Sequence, residues 1–395
     1  MKLPLGGVRV LTVEQYGAGP FGTQYLADQG AEVIKIESPS MGGDYARAVG
    51  PHFFTDEHSQ FFHSFNRNKK SLSLDISKPE GKEVFHKLVA TADAVTSNAR
   101  GDVPARLGIT YEELGAVNPK IVCAHLSAYG REGSRANWPG FDYLMQAETG
   151  YFALTGEPDS PPTRMGLSIV DLMTGLGLAY SVAIGVLSAR ETGMGRDMDI
   201  SLFDTALFNL CYPGTWYLNA GVNQQREPRS GHPSLVPCAL YTTKDGWIYI
   251  MCNKEKFWPA LCDAIGRAEW AEDPRFATFA DRLGNRMLLQ DLLDLELRHK
   301  STAEWLEIFA GSVPAAPLND VKSALDNPFV AERGLIQTLN LEGHGDIRLI
   351  DTPIKSGVTT PSKPAPTLGE QTDELLNEIG VSDKRRATLK AKGVI

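Results

Sequence analysis

One carboxylate stands out as a group that could do covalent chemistry. Asp171 lies in an apolar segment, LSIVDLMTG at 167–175, where a long predicted helix begins. The usual role of an aspartate at such a place is an N-cap, whose side chain accepts backbone N–H bonds and contributes about 1 kcal/mol. The other role is that of a nucleophile, because a poorly hydrated carboxylate at the positive end of a helix can attack an activated carbonyl. The residues alone leave both roles open, and the two are compatible.

A glycine-rich segment supplies a second candidate site. The run Gly17-Ala18-Gly19-Pro20-Phe21-Gly22 matches the pattern GxGxxG between a predicted strand and a predicted helix, and Glu37 ends the next strand. Glycines at such a turn let the backbone approach a phosphate-bearing ligand at a helix N-terminus. The pattern is therefore typical of a nicotinamide dinucleotide site and compatible with CoA. A tight turn without a ligand explains it equally well.

Other common catalytic arrangements have no support in the sequence. The eight histidines show no metal-ligand spacing, and His58 with His63 is not such a pair. No GxSxG segment is present, and the five cysteines lie outside any CxxC or nucleophile motif. We therefore predict no metal site and no hydrolase triad. The scattered cysteines are typical of reduced thiols in a cytoplasmic enzyme.

Alternating strands and helices are predicted to position these residues. Strands are predicted at 8–13, 32–36, 69–76, 94–97, 121–126 and 197–201, a turn at 17–22, and helices at 21–29, 79–92, 111–118 and 171–191. A strand, a short helix and a strand form a βαβ unit, whose right-handed crossover makes the two strands parallel. The sequence thus predicts an α/β fold, with a mostly parallel sheet and helices on both of its faces.

The segment 166–188 has about the length of a membrane-spanning helix by the ~20-residue criterion. However, Asp171 lies near its start, and a lone carboxylate in lipid costs several kcal/mol. Gly175, Ala179 and Ala183 recur every four residues and give the helix one flat face for close packing. We therefore predict a buried helix and no membrane association.

A polar stretch at 224–233 marks a predicted domain boundary. Beyond it, a hairpin signal, Lys244-Asp245-Gly246, separates strands predicted at 239–243 and 247–252, and helices follow at 257–265, 286–297 and 302–309. After residue 328 the chain is polar and extended until a last predicted helix at 370–380. We predict a large α/β domain over 1–223, a small α+β domain over 224–328, and a return segment over 329–395 that completes the large domain.

Composition limits the classes of partner. The chain has 395 residues, of which 42% are hydrophobic and 22% charged, as expected of a globular protein with two ordinary domains. Its net charge of −9 includes no basic block that could neutralise a phosphate backbone, so nucleic acid is not an expected partner. Residues 1–7 lack the apolar run of a signal peptide, and we expect a cytoplasmic protein.

Ordered segments over nearly the whole chain are similar to one known family. They are GAGPFGTQYLADQGAEVIKIE, NRNKKSLSLDISKPEGKEVF, ADAVTSNARGDVPARLGI, GFDYLMQAETG, TGEPDSPPTRMG, the segment 171–175, ARETGMGRDMDISLFD, and EDPRF with NR. With these segments the sequence resembles the class III CoA transferases, the group that contains formyl-CoA and carnitine CoA transferases. Eight ordered segments are far more specific than one glycine motif.

The resemblance implies a reaction and a catalytic residue. Asp171 falls on the family's catalytic aspartate, which attacks the donor acyl-CoA to give a mixed anhydride and free CoA thiolate. The thiolate then forms an aspartyl-CoA thioester, the acceptor carboxylate attacks it, and CoA moves to the acceptor through a second anhydride. The expected ligands are an acyl-CoA and a small carboxylic acid, with CoA as substrate and product. No metal and no redox cofactor are expected.

The resemblance also implies the residues that bind CoA. Gly17 and Ala18 would line the reacting end, while Leu74, Asp75, Asn98 and Arg106 would hold the nucleotide and the pantetheine. Phe141 and Asp142 fall on the stretch beside the thioester. Arg106 is a plausible phosphate ligand because a guanidinium can donate two parallel N–H bonds, although a surface ion pair would explain it too.

Several residues depart from branches of the family. The racemases of 2-methylacyl-CoA thioesters carry a catalytic histidine where this chain has Phe141, which cannot exchange a proton. Formyl-CoA transferase has a glutamine in place of Gly17 and an arginine in place of Ser38, which argues against a formyl or oxalyl substrate. Arg47 could replace the missing phosphate contact. The alternatives that remain are a racemase or other CoA-thioester isomerase, a nicotinamide-dependent oxidoreductase, and a non-catalytic CoA-binding protein.

The resemblance finally implies a quaternary structure. The family's fold is an interlaced homodimer of ring-like chains, each with a large Rossmann-like domain and a small domain. The extended, proline-containing segment after residue 328 fits a return to the large domain. Composition alone indicates nothing about the interlacing.

Overall fold

The computed structural model of the protein describes residues 2–56, 58–358 and 361–395. The chain divides into two compact units. The large unit contains the residues up to Thr149, Met165–Cys211 and Ala331–Ile395, and the small unit contains Gly150–Arg164 and Tyr212–Val330. These divisions place 150–164 and 212–223 in the small unit, whereas the sequence analysis placed them in the large domain. The domain assignment from the sequence stays a prediction.

The strands and helices of the described residues are numbered in chain order. The strands are β1 (Arg9–Val13), β2 (Glu32–Glu37), β3 (Phe53–Thr55), β4 (His58–Ser59), β5 (Lys70–Ser73), β6 (Ala94–Ser97), β7 (Val122–Ser127), β8 (Arg196–Ser201), β9 (Cys238–Thr242), β10 (Trp247–Met251), β11 (Ala315–Pro317), β12 (Ile336–Leu341) and β13 (Gly345–Ile350). The helices are α1 (Ala18–Asp28), α2 (Gln60–Asn66), α3 (Pro79–Val89), α4 (Val103–Leu107), α5 (Tyr111–Leu114), α6 (Asp142–Glu148), α7 (Tyr151–Leu154), α8 (Ile169–Thr192), α9 (Leu202–Phe208), α10 (Cys211–Ala220), α11 (Phe257–Ala264), α12 (Phe279–Gly284), α13 (Arg286–Leu297), α14 (Thr302–Phe309), α15 (Val321–Leu325), α16 (Pro328–Glu332), α17 (Thr372–Glu378) and α18 (Asp383–Ala391). Short 3₁₀ turns lie at Pro39–Met41, Tyr45–Ala48, Pro228–Ser230 and Ala268–Ala271.

The centre of the large unit is a six-stranded sheet in the order β5-β2-β1-β6-β7-β8. All neighbouring strands in it are parallel, and Leu11 of β1 pairs with Ile34 on one side and Val95 on the other. The predicted α/β class with a parallel sheet is therefore confirmed. The strand order reverses between β1 and β6, and open parallel sheets bind ligands beyond the carboxyl ends of their strands at such a point.

Helices cover both faces of this sheet. On one face, Leu11 and Ile34 pack in a continuous core with Phe85 of α3, Leu375 of α17 and Leu389 of α18. Apolar positions that recur at helical spacing on one side of α3 produce this contact, and Pro79 starts the helix at a position where a missing N–H costs nothing. The helices α1 and α8 belong to the opposite face, where the strand residues that alternate with Leu11 and Ile34 point.

Helix α8 packs directly on the sheet. A Cβ atom on Gly185 would lie 2.7 Å from the Val122 side chain of β7, so only glycine allows this approach. By length and composition alone α8 could cross a membrane, with a mean hydropathy of 1.7 over its most apolar window, of which 44% is buried. A core helix of a globular protein passes the same test, and the absence of membrane association stays a prediction.

The segment after Ala331 contains more regular secondary structure than the extended chain that its composition predicted. It contains an antiparallel hairpin, in which β12 and β13 pair from Ile336 with Ile350 to Leu341 with Gly345, and a terminal helix, α18, beyond α17. Leu339, Leu341 and Ile347 alternate toward one face of the hairpin and are buried there. The backbone of 336–341 and 345–350 is extended as predicted, but the pairing of these two strands in a hairpin was not predicted.

The small unit is an α+β module. Strands β9 and β10 form the hairpin predicted around Lys244-Asp245-Gly246, and β11 pairs with the other edge of β10. The predicted helices are present as α11, α13 and α14, and they bury Trp258, Leu293 and Phe309 against Tyr241 and Ile248 of the sheet.

Candidate active site

Asp171 lies in the first turn of α8, although not at the position that its sequence context favoured. Ser168 is the N-cap residue, Ile169 begins the helix, and Asp171 is its third residue. No side chain caps this helix end. The interpretation of Asp171 as an N-cap is therefore wrong. Its carboxylate lies near the positive end of the helix dipole but makes no capping hydrogen bond.

Burial, and to a smaller extent the nearby Asp142 carboxylate, together raise the pKa of the Asp171 carboxyl from 3.8 to about 7. Among the described residues, no N–H or O–H group donates a hydrogen bond to the Asp171 carboxylate, so no such bond counteracts these two effects. A hydrogen bond donated to the ionised carboxylate, or a positively charged side chain beside it, would lower the pKa. Near neutral pH the group is thus divided between its protonated and ionised forms.

Asp142 is fixed in place beside this group. It begins α6, is 4% exposed, and its Oδ2 accepts the backbone N–H of Asp171 at 2.8 Å. Gln146, one turn further along α6, donates its Nε2 to Asp142 Oδ1 at 2.6 Å and to the Leu167 carbonyl at 3.1 Å. These bonds tie the start of α6 to the start of α8, so the two aspartates are held as a pair.

Gly17 lies on the other side of the Asp171 carboxylate. A Cβ atom at position 17 would be 3.2 Å from Asp171 Oδ2, closer than most real contacts of a Cβ atom. Gly17 is the N-cap residue of α1, so the N-termini of α1 and α8 meet at the carboxylate. Ala18, the first residue of α1, is 5% exposed and lies directly beside this junction.

The other glycines bring α1 and α8 together. A Cβ atom on Gly22 would be 2.3 Å from the Gly175 carbonyl oxygen, and one on Gly175 would be 2.5 Å from the Ala18 carbonyl oxygen. The predicted turn at 17–22 is therefore wrong, because α1 already begins at Ala18 and includes Gly19 and Gly22. These glycines serve a close helix contact that places Gly17 beside Asp171.

Asn98 follows β6 and holds the loop between β1 and α1. Its side chain accepts the Gln15 N–H at 2.9 Å and donates to the Gln15 carbonyl at 2.7 Å. The side chain also lies against Gly19, whose Cβ would be 2.9 Å from it. The structure thus brings Asn98 to the same edge of the sheet as Gly17 and Asp171, as expected from the carboxyl ends of neighbouring parallel strands.

Leu74 and Asp75 follow β5, but their side chains are used within the fold. Leu74 is 1% exposed and belongs to the core under the sheet. The Asp75 carboxylate accepts the backbone N–H and the hydroxyl of Ser77 at 3.1 and 2.6 Å, ahead of α3. Their contact with CoA stays a prediction.

Arg106 and Phe141 are accessible. The Arg106 side chain is 64% exposed and its guanidinium lies 3.4 Å from Asp102, a surface ion pair of about 0 to 1 kcal/mol. Phe141, directly before α6, is 66% exposed. An accessible guanidinium and an accessible apolar ring are compatible with the predicted ligand contacts, and the weak ion pair leaves the guanidinium able to bind a phosphate.

Glu37 and Arg47 are not accessible for the roles that the sequence suggested. Arg47 donates two N–H bonds to the Glu37 carboxylate at 2.9 and 2.7 Å and a third to the Pro366 carbonyl, and its side chain is 10% exposed. Despite burial, Arg47 and the other donors lower the pKa of Glu37 to about 2. Arg47 therefore does not replace the phosphate contact missing at Ser38. Glu37 cannot serve as the ribose ligand of a nicotinamide site, which removes the main support for an oxidoreductase.

The sequence analysis missed a buried polar group next to this site. Lys35 and Asp44 are both fully buried and form an ion pair of 2.7 Å. A signal was present, since Lys35 interrupts the otherwise apolar core of the strand EVIKIE.

Within the described residues no cluster of three or more histidine, cysteine, aspartate or glutamate side chains could hold a metal ion.

Comparisons with known proteins point to one family. A family model described as CoA-transferase family III matches residues 5–372. A succinate–glutarate CoA-transferase from Agrobacterium fabrum is 32% identical over 389 residues, which cover 96% of each chain. An acetyl-CoA:oxalate CoA-transferase from Acetobacter aceti is 34% identical over 394 residues, or 97% of this chain and 98% of that protein. Among solved structures, a CAIB/BAIF family protein from Brucella suis matches with a TM-score of 0.81 and 31% identity, covering 96% of this chain and 100% of that chain.

Proposed function

The chain belongs to CoA-transferase family III and is a CoA transferase, and on this premise we propose that Asp171 carries the transferred groups as covalent intermediates. The observation that carries the proposal is the partly buried carboxylate at the N-terminus of α8, which has a pKa of about 7 and lies against a glycine. A carboxylate of this kind is ionised in a useful fraction of molecules, while its weak hydration keeps it reactive.

Each step of the proposed reaction balances. An Asp171 oxygen attacks the acyl carbon of the donor, the C–S bond breaks, and an aspartyl–acyl anhydride and CoA thiolate result. The thiolate attacks the aspartyl carbonyl and releases the donor acid, leaving an aspartyl-CoA thioester. The acceptor carboxylate displaces the thiolate from this thioester to form a second anhydride, and the thiolate finally attacks the acceptor's acyl carbon. The products are the new acyl-CoA and the free Asp171 carboxylate.

The surroundings of Asp171 support this sequence of steps. The absence of a side chain at Gly17 leaves room for the thioester carbonyl on one side of the carboxylate. The backbone N–H groups at the N-termini of α1 and α8 are suited to stabilising the oxyanions that form as carbonyls are attacked. Asp142 accepts the backbone N–H of Asp171 in a 2.8 Å hydrogen bond, which helps to fix the position of the nucleophile.

CoA would bind beyond the carboxyl ends of the parallel strands in a Rossmann-like arrangement. We propose Gly17, Ala18 and Asn98 near the reacting end, where the strand order reverses between β1 and β6. Arg106 would contact a phosphate group, since its guanidinium is exposed and only weakly paired. Leu74, Asp75, Phe141 and Asp142 complete the proposed set.

The proposed acids are short dicarboxylates such as succinate and glutarate, and Gly17 and Ser38 make oxalate the least favoured of them. The curated relatives described above are named for succinate, glutarate and oxalate. The donor would then be a CoA thioester of such an acid or of acetate. A racemase is a weaker candidate, because Phe141 offers no exchangeable proton at the entrance of α6.

The proposed quaternary structure is a homodimer of cytoplasmic protein. Leu176, Tyr180 and Leu187 on α8 are 49%, 66% and 69% exposed, and their spacing places them on one side of the helix. An apolar stripe of this kind is suited to contact with a second copy of the chain. Light scattering should give twice the chain mass, and Tyr180→Glu with Leu187→Glu should lower it. A monomeric wild type would contradict this part of the proposal.

Mass spectrometry tests the proposed function. The protein is incubated with succinyl-CoA or acetyl-CoA and a panel of succinate, glutarate, oxalate and acetate, and the acyl-CoA products are identified. With donor alone, the peptide that contains Asp171 should gain the mass of CoA minus water. Asp171→Asn should abolish both the transfer and the adduct.

Asp204→Asn is the matched control, because Asp204 lies in the first turn of α9 as Asp171 does in α8. It should leave transfer unchanged. Transfer that survives in Asp171→Asn would exclude this nucleophile. Incorporation of solvent deuterium next to the thioester without any transfer would favour an isomerase.

A further inference from the structure

Two buried charged side chains, Lys35 and Asp44, bind the backbone of the loop between β1 and α1. Lys35 Nζ donates to the Glu14 carbonyl oxygen at 3.0 Å, and Asp44 Oδ1 accepts the Tyr16 N–H at 2.9 Å. Gln15 lies between Glu14 and Tyr16, and its backbone N–H and carbonyl both bond to the Asn98 side chain. The backbone of residues 14–16, which leads to Gly17, is therefore held in one conformation.

Tyr16 has an unusual backbone conformation. Its φ is 71°, in the left-handed region that residues with a Cβ atom rarely adopt. Such a conformation persists only where the surroundings impose it, and it is frequent at functional sites. The Tyr16 ring contacts Tyr45 and Phe61, with ring centroids 6.1 and 5.0 Å apart. Because Gly17 follows directly, the conformation of Tyr16 decides where Gly17 lies relative to Asp171.

The ion pair of Lys35 and Asp44 has no contact with solvent. Lys35 and Asp44 side chains are both 0% exposed and lie 2.7 Å apart, so no ligand reaches either of them. Asp44 Oδ1 also accepts the Ala46 N–H at 2.8 Å, which anchors the carboxylate on its own side. Buried ion pairs contribute little net stability, since apolar side chains of similar volume serve a core equally well. Net stability alone therefore does not explain why charged groups occupy this position.

We propose that the buried Lys35–Asp44 pair is a positioning device for the transfer reaction, which imposes the left-handed conformation on Tyr16 and so places Gly17 against the Asp171 carboxylate. This inference rests on the proposed role of Asp171. The pair itself touches neither the substrate nor the reacting atoms. Its effect reaches the site through the backbone from Tyr16 to Gly17.

The test replaces the pair by apolar side chains in one variant, Lys35→Met with Asp44→Leu. The buried Glu14 carboxylate, which lies 3.8 Å from Lys35, keeps its 2.9 Å ion pair with Lys69. The replacement therefore leaves no buried charge without a partner, and the protein should fold. The loop loses the acceptor of the Tyr16 N–H, and a displaced loop should lower kcat by about 10- to 100-fold with a smaller change in the KM for acyl-CoA. Hydrogen exchange of the peptide from Val13 to Phe21 should become faster, and this readout does not depend on activity.

The matched control removes another buried ion pair of the large unit, Arg67→Met with Asp28→Leu. Arg67 and Asp28 are 6% and 5% exposed and 2.6 Å apart, and Asp28 lies at the opposite end of α1 from Gly17. This control should leave kcat and the exchange of the Val13 to Phe21 peptide unchanged. An equal loss of kcat in both double variants would mean that the pair has only a structural role and would overturn the proposal.

Tyr16→Gly provides a rescue. Glycine adopts positive φ without a steric penalty, so adding this change to the Lys35→Met/Asp44→Leu variant should restore kcat by up to about tenfold. In the wild type, where the pair already imposes the conformation, the same change should bring no gain. Unchanged kcat and unchanged exchange in the double variant would refute the positioning role while leaving Asp171 as nucleophile. Activity that resists Asp171→Asn would refute the proposed function instead.

Discussion

Replacing Asp171 by asparagine should abolish transfer and yet make the protein more stable at neutral and higher pH. The pKa of Asp171 is raised from 3.8 to about 7 in the folded chain by burial and by Asp142. Each unit of pKa difference between the folded and the unfolded chain corresponds to about 1.4 kcal/mol. A difference of about three units gives an upper value of about 4 kcal/mol, and partial access of water to the carboxylate lowers the expected gain to about 2 to 4 kcal/mol.

The sign and the pH range follow from the direction of the shift. Because the folded pKa lies above the unfolded one, the protonated carboxyl favours the folded chain. This contribution is complete below about pH 4 and is lost as the pH rises through 7. Asparagine is never ionised. Asp171→Asn and the wild type should therefore have similar stability near pH 4, diverge between about pH 4 and 7, and differ by a constant amount above about pH 8.

Urea unfolding of both proteins, followed by far-ultraviolet circular dichroism at several pH values, measures this difference. Asp204→Asn, which removes a carboxylate from the first turn of α9, is the control for the substitution itself. A stability difference between Asp171→Asn and the wild type that does not change with pH would refute the raised pKa. A less stable Asp171→Asn protein at pH 8 would refute the argument as well, because the ionised carboxylate would then be favoured in the fold.

Two further changes test the geometry of the site. Asp142→Asn removes the negative charge beside Asp171 but keeps an oxygen that can accept the Asp171 N–H. Because this charge raises the pKa of Asp171, the pH at which transfer reaches half of its maximum should be lower in the variant than in the wild type. An unchanged or higher midpoint would contradict the electrostatic role of Asp142. Gly175→Ala places a methyl group about where the Ala18 carbonyl lies and should cost about 1 to 3 kcal/mol together with most of the transfer activity. Gly177→Ala on the same helix is its control, since the added Cβ would lie 3.7 Å from the nearest side-chain atom, and it should keep activity in a turnover assay.

The alternation of strands and helices was predictable from the sequence because each element carries its own periodic pattern. Strands such as β1 and β6 are short apolar runs between turn residues, and α8 is a long apolar run with small residues every fourth position. The hairpin β12–β13 was missed although its pattern is local. Leu339, Leu341 and Ile347 alternate with polar residues around a glycine-containing turn, a signal that proline-rich flanking sequence obscured.

The site was predictable only as a set of separate candidates. Gly17 and Asp171 are far apart in the chain, and they meet because Gly22 and Gly175 allow α1 and α8 to touch. A pattern of glycines in one helix does not reveal which helix it will contact. The sequence thus predicted a turn, with or without a phosphate-bearing ligand, for glycines whose role in the structure includes helix packing.

Two unfavourable features meet at the same place in the fold, and neither benefits folding. The Asp171 carboxylate is ionised at a cost in stability, and Tyr16 holds a backbone conformation that costs about 1 to 2 kcal/mol. A chain selected for stability alone would replace the first by an amide and the second by glycine. Both persist next to Gly17, since Tyr16 directly precedes it in the chain and a Cβ atom at position 17 would lie 3.2 Å from the Asp171 carboxylate. Their coincidence argues that this junction of α1 and α8 is the part of the molecule that function has shaped.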